Sequence, residues 1–479
     1  MSTEKNNYVD FHCHPAMKPF GKSFNYRKIG INHPRRNRSS SIWKYNPPSV
    51  LDKLINYVIN LTKFSQANFT SLAKGGVKVA CVSLYPIEKG FFVNKIKSEF
   101  IKDIASNFAT GVGKKRVDVI QDITDYFKDL EMEYDFYEQL NNKVIKLPEG
   151  KFRYKLVKKF TEIEMANQDG VQTINVIMSI EGLHVLNSNI NKPVNEIEFM
   201  ANLQKIKLWK APPLFVSVAH HFWNHLCGHS ESFTKLVKKK VDQSEGINTG
   251  FTVLGKKVVN ELLSTKNGKR IYIDVKHMSV ASRQDFYNII DTNPDYKNMP
   301  IIISHGAANG LKSFKNKTSG GSKVANLLKQ VDINFFNEEL IRVAKSKGIF
   351  GLQLDERRVA SNKTIKHTKH AVKRSKIMHY RSELLWFQIQ HIAEVLDNAS
   401  LFIWDCIVLG TDYDGIIDPL NAFWTAEELP YLADFLERHA HNYINNNTFK
   451  ISENNIDADE IIDRIMSSNG LQFLKTYFK

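Results

Sequence analysis

The chain has 479 residues, of which 42% are hydrophobic and 11% aromatic, enough apolar side chain for a large packed core and unlike a disordered segment. Lys and Arg outnumber Asp and Glu by 66 to 50, yet the basic residues are scattered, with no arginine-rich arm or zinc-finger spacing, so specific nucleic-acid binding is not expected. Four cysteines (Cys13, Cys81, Cys227, Cys406) form no CxxC pair, and no run approaches the ~18 apolar residues of a spanning helix, so the expectation is a cytoplasmic, unanchored chain with reduced thiols.

The first predicted strand is Tyr8-Val9-Asp10-Phe11, running into His12-Cys13-His14. Side chains alternate along a strand, so His12 and His14 share one face. The near-continuous apolar run Val77–Tyr85 reads as a strand buried on both faces. Thr173–Gly182, Leu214–His221, Ile271–Met278, Ile301–Gly306, Ile349–Glu356 and Cys406–Gly415 complete a series of eight. Amphipathic helical patterns lie between them, among them residues 50–64, 194–209, 281–291, 337–348, 382–397 and 426–439. Strand-helix alternation implies a parallel sheet, and eight units predict a closed (β/α)8 TIM barrel. No GxGxxG turn follows a strand, which removes the main sign of a dinucleotide fold. The expected organisation is a single barrel catalytic domain over 1–479, with an amphipathic helical insertion near 110–170 and polar, Lys-rich connections near 307–333 and 360–380.

The strand ends carry the chemistry. The first strand ends in His12 and His14, the third in Glu181, the fourth in His220 and His221. The fifth ends in His277, the sixth in His305 and the eighth in Asp412. In a (β/α)8 barrel all these ends face one rim, where active sites are built. One histidine at a strand end is ordinarily a hydrogen-bonded structural residue. Six strands delivering imidazole or carboxylate to one rim predict a metal centre, and five or six ligands call for two divalent ions, with zinc suited to this donor set. Such ions polarise a carbonyl and supply a hydroxide, and a carboxylate then moves the proton. Asp412 in "GTDYDG" is the candidate for that task, with Asp414 the alternative.

In this order HxH, "SIEG", "DVKH", "ISHG" and "GTDYDG" resemble the motifs of the membrane dipeptidase (renal dipeptidase-like) family of the amidohydrolase superfamily. The resemblance implies a zinc-dependent dipeptidase cleaving a small peptide-like amide by attack of a metal-bridging hydroxide. It assigns His12 and His14 to the first ion, Glu181 to the bridge, His277 and His305 to the second ion, and general acid/base work to Asp412. His220 takes the part of the family's oxyanion-steadying histidine, with His221 close by as a substrate-binding alternative.

Two departures stand out. The family has aspartate where this chain has His14, and it grips the substrate carboxylate with an arginine after the "SH" motif. Here that segment offers only Lys312, Lys315 and Lys317, point charges without a bidentate fork. Lys315, Lys317, Arg357 and Arg358 are the substrate-binding candidates that remain. Another amidohydrolase specificity (lactonase or deaminase) is the alternative, and a non-catalytic basic binding protein the third. No partner beyond a small-molecule or dipeptide substrate is called for, no membrane is expected, and a homodimer is left open.

Overall fold

The computed structural model describes residues 7–479 apart from 60, 61, 63, 93–110, 169, 234–237, 239 and 240. Ten strands follow one another: β1 (Tyr8–Cys13), β2 (Val77–Leu84), β3 (Ile145–Leu147), β4 (Gly150–Leu156), β5 (Val171–Glu181), β6 (Phe215–Ser217), β7 (Tyr272–Asp274), β8 (Ile302–Gly306), β9 (Ile349–Leu352) and β10 (Ile407–Leu409). Their hydrogen-bonded order is β2-β1-β10-β9-β8-β7-β6-β5, and β2 pairs with β5 to close the ring. Eight parallel strands with helices between them make the (β/α)8 barrel, as the alternation predicts.

Every residue of β1 and β2 is buried, because a strand of this barrel has side chains inside on one face and helices against the other. On β1, Val9 and Phe11 face outward. A Cβ on Gly470 would lie 2.9 Å from Val9 Cγ1, and the Phe11 ring meets Phe473 edge to face at 5.8 Å. Both partners belong to the C-terminal helix Asn469–Tyr477. Asp10, His12 and His14 take the alternate positions and face the interior. The outer helices bury one stripe each: Leu429, Leu432, Leu436, Ala440 and Tyr443 line the inner face of Leu429–Asn446.

The insertion near 110–170 is only partly helical. Helices Lys114–Gln121 and Tyr126–Glu138 are followed by an antiparallel hairpin of β3 and β4, and β4 joins the edge of β5 beyond β6. "KLPEGKFRYKL" alternates with period two around a Pro-Glu-Gly turn, and Gly150 has φ +137°, so the pattern there is that of a hairpin. The helix expected over residues 50–64 spans Val50–Ile59, and residues 60, 61 and 63 lie outside those described. All four cysteines are free and buried.

The strands β6, β7, β9 and β10 stop earlier than their apolar runs suggest. The backbone beyond them finds other partners: Lys276 N donates to the Asp274 Oδ1 side chain, and Gln353 N donates to the carbonyl of Gly306, the last residue of β8. His277 and Asp412 then turn into the left-handed region, at φ +66° and +61°. Histidine and aspartate enter that region more readily than most side chains. The turn swings both off the strand direction and over the barrel mouth.

Candidate metal centre

Glu181, at the end of β5, is the hub. Its Oε2 lies 3.1 Å from His14 Nε2. Its Oε1 lies 2.9 Å from His277 Nε2, 3.6 Å from His12 and His305 Nε2, and 3.7 Å from His220 Nε2. Oε2 thus faces His14, while Oε1 faces His277, His12, His305 and His220. Asp412 closes the ring, with Oδ1 3.8 Å from His12 and 3.9 Å from His14, and Oδ2 3.8 Å from His305. All these residues are at most 9% exposed.

The proton positions follow from the partners. His14 Nδ1 lies 3.1 Å from the Ser83 carbonyl, which can only accept, so Nδ1 carries a hydrogen and Nε2 is the atom left to face Glu181 or a cation. Ser304 Oγ donates its single hydrogen to Asp274 Oδ2 at 2.6 Å, and therefore accepts from His305 Nδ1 at 3.0 Å. His12 Nδ1 lies 3.4 Å from the same oxygen. Asp274 also accepts from Ser217 Oγ, Ser304 N and Lys276 N, filling a carboxylate's capacity. Below His12, Asp10 accepts from His12 N and from Thr411 N and Oγ1, which ties β1 to the start of the Asp412 loop. This buried polar layer aims the Nε2 atoms of His12, His14 and His305 into one space. Fixing ring tautomers from behind is what metal-ligating histidines require.

The ligand spacing fits ions. Two atoms each ~2.1 Å from a shared tetrahedral zinc are about 3.4 Å apart. The separations around His12, His14, Glu181 and Asp412 run from 3.1 to 3.9 Å. His12 Nε2 and His14 Nε2 stand 3.1 Å apart, a contact relieved either by a proton on His14 or by a shared cation. His277 Nδ1 is buried without a hydrogen-bond partner. His12, His14 and Asp412 form one candidate ligand group, and His12, Glu181 and His305 another.

Electrostatics sort the residues into roles. Burial lowers His12 and His305, and it brings His277 down to about 3, so all three are neutral near pH 7. Burial opposes a charge on His14 as well, but Glu181 holds it up at about 9, marking the place where positive charge is favoured. Against the cost of burial, His220 and His12 keep Glu181 well below the usual carboxylate range. Asp412 is driven the other way, by burial first and then by the Glu181 charge.

His220 Nδ1 lies 2.8 Å from Glu88 Oε2, which also accepts from Tyr85 Oη at 2.7 Å. Burial disfavours the imidazolium, but Glu88 and Glu181 raise the His220 pKa above its ordinary value. His221 lies behind it, with N donating to Glu88 Oε1 and Nδ1 2.7 Å from Ser232 Oγ. Together with His277 these two imidazoles form a third cluster. Glu88 was not among the residues expected at the site. It sits four positions past β2, and the only signal for it is that the second strand otherwise sends nothing to the rim.

The Asp412 loop depends on its neighbours. Asp414 turns away and is fully occupied by Lys18 Nζ, Ser65 Oγ, Gln66 N and Ala67 N, leaving Asp412 as the aspartate at the centre. A Cβ on Gly415 would lie 2.0 Å from Asp412 Oδ1, so only glycine lets the carboxylate sit where it does.

The basic candidates separate. Lys317 is exposed and paired with Asp332, and Lys315 is exposed. The Arg357 fork closes on Asp355, with Nε at 2.9 Å and Nη2 at 2.8 Å. Arg358 donates to the Ser232 carbonyl and stays within electrostatic reach of Asp412. Lys276 went unnoticed in the "DVKH" motif. It is 2% exposed, its Nζ lies 3.3 Å from Gln353 Oε1, and burial together with Arg358 brings its pKa down to about 8.

Among the described residues no helix is long and apolar enough to cross a membrane. None of the curated proteins matches the sequence. Two solved structures share the fold at a TM-score of 0.50 and 11% identity. One is a metallopeptidase from Rhodobacter sphaeroides liganded with a phosphinate mimic of the dipeptide L-Ala-D-Ala, covering 99% of this chain and 100% of that one. The other is dipeptidase AC, a metallopeptidase of family M19, covering 99% of each chain. A family model for membrane dipeptidase, peptidase family M19, matches residues 44–456, which takes in Glu181, His220, His277, His305 and Asp412 and begins after His12 and His14. The chain belongs to the membrane dipeptidase family, peptidase family M19, and is a metallopeptidase-type hydrolase.

Proposed function

We propose that this protein is a dinuclear metal-dependent dipeptidase, with zinc the ion its donors suit best, acting on a small peptide-like amide. The observation that carries the reading is Glu181 at the centre of the histidines, with Oε2 toward His14 and Oε1 toward His277, His12 and His305, more ligands than one ion would use. His12 and His14 would hold one ion, His277 and His305 the other, and Glu181 would bridge. When bound, two such ions polarise the scissile carbonyl and acidify water.

The chain's own residues do the rest. Asp412, kept from ionising freely by burial and by Glu181, takes the proton released by the attacking water and passes it to the leaving nitrogen. His220, whose imidazolium Glu88 favours, directs Nε2 into the site and steadies the oxyanion. The surrounding apolar barrel excludes bulk water, which strengthens each of these charges.

A second reading keeps the centre and changes the substrate. His14 replaces an anionic ligand by a neutral one, and Lys315 and Lys317 lie exposed at the surface, so a lactonase or deaminase specificity on the same scaffold is the alternative. The full chain serves as one catalytic domain in this account, and its four free, buried cysteines favour a reducing compartment such as the cytoplasm. Zinc-loaded protein tested on a dipeptide panel, and in parallel on lactones and amino-substituted heterocycles, decides. Dipeptide hydrolysis that disappears on chelation and returns with zinc supports the proposal; hydrolysis of lactones alone overturns it.

A further inference from the structure

Lys276 is a buried cation without an anion. The residue is 2% exposed and the one partner within hydrogen-bond distance of its ammonium is neutral, Gln353 Oε1 at 3.3 Å. Among the described residues no carboxylate comes within ion-pair distance of it, although buried charges are ordinarily paired. Gln353 Nε2 is likewise buried with no hydrogen-bond partner. The charges acting on Lys276 most strongly are Arg358 and then Asp412. Arg358 uses Nη2 on the Ser232 carbonyl and closes no fork on a carboxylate, unlike its neighbour Arg357. Donors from the ends of β7 and β9 are therefore gathered within electrostatic reach of Asp412, and among the described residues no carboxylate pairs directly with Lys276 or Arg358.

The position suits one substrate group. In a dipeptide the α-carboxylate carbon is two bonds from the leaving nitrogen, about 2.5 Å away. A nitrogen that receives its proton from Asp412 therefore brings that carboxylate to the side of Asp412 where Lys276 and Arg358 act. We propose that Lys276, presented by Gln353 and seconded by Arg358, receives the substrate's α-carboxylate. The inference rests on the dipeptidase reading and assigns its specificity to residues outside the segment following the "ISHG" motif.

The test compares alanyl-alanine with its C-terminal amide on the zinc-loaded full chain, for wild type, Lys276→Met and Lys276→Arg. Wild type should prefer the acid, by kcat/KM, at least a hundredfold. Lys276→Met should cut that preference tenfold or more, mainly through KM for the acid, and Lys276→Arg should restore part of it. An unchanged preference in Lys276→Met overturns the inference. Should wild type cleave neither compound, the dipeptidase reading has failed, and binding then decides. Thermal stabilisation by the acid but not the amide, lost in Lys276→Met, upholds the anion site; equal stabilisation of wild type and variant removes it.

Discussion

Replacing Glu88 by Gln tests the electrostatic frame of the site without touching a proposed metal ligand. The wild-type carboxylate accepts from Tyr85 Oη and His220 Nδ1 on Oε2 and from His221 N on Oε1. A glutamine can keep its oxygen toward Tyr85 and His220, but its NH2 group then faces the His221 N–H, leaving one buried donor unsatisfied. Breaking a buried pair by removing one partner costs about 3–5 kcal/mol, and the retained acceptor places this variant at ~3 kcal/mol. Over 479 residues an unfolding entropy of ~2.1 cal/mol/K per residue gives about 1 kcal/mol/K, so Tm should fall by ~3 °C.

The loss depends on pH. Glu88 is depressed in the folded state, so its contribution is present above the unfolded value of about 4.3 and fades as pH falls further. His220 is raised, so its contribution is full below about 6.5 and fades as pH climbs through the raised folded value. Calorimetry in chelator should therefore find the largest gap between wild type and Glu88→Gln from about pH 4.5 to 6.5, shrinking toward pH 9. A gap that is flat across this range, or absent, refutes the pairing of Glu88 with a protonated His220. In the zinc-loaded enzyme the same change should move the alkaline limb of the activity profile to lower pH.

Three further changes probe separate layers. Ser304→Ala removes the hydroxyl that orders His305 and His12, and zinc affinity measured by competition with a chromophoric chelator should drop about 10–100-fold. Gly415→Ala places a methyl against Asp412 Oδ1 and should lower kcat, while zinc content by elemental analysis stays near wild type. Phe473→Ala opens the contact with Phe11 outside the barrel and should cost about 3–5 kcal/mol of stability in denaturant titrations, leaving KM unchanged.

The barrel and most of the centre are legible in the sequence because they depend on local pattern and chain order. Period-two alternation puts His12 and His14 on one face, and parallel strands bring Glu181, His277, His305 and Asp412 to one rim. What escapes is whatever only ring closure brings together. Asp274 reads as one residue of an apolar strand, and its importance appears when Ser217 and Ser304 arrive from the strands on either side. Glu88 sits in an aperiodic loop, and its partner His220 is 132 positions away in sequence. Lys276 looks like an exposed strand-end lysine until the left-handed turn at His277 shows the chain folding over the mouth. The hairpin of β3 and β4 carries a two-residue period inside a region whose helical stretches dominate its composition.

The metal stoichiometry is the most direct test of the central claim. Protein stripped with chelator, reconstituted with zinc, desalted and analysed by plasma mass spectrometry should carry two ions per chain, and Glu181→Gln, losing the bridge, should carry fewer. Wild-type protein that retains no zinc, or a Glu181→Gln variant that keeps the full wild-type complement, would contradict the dinuclear centre.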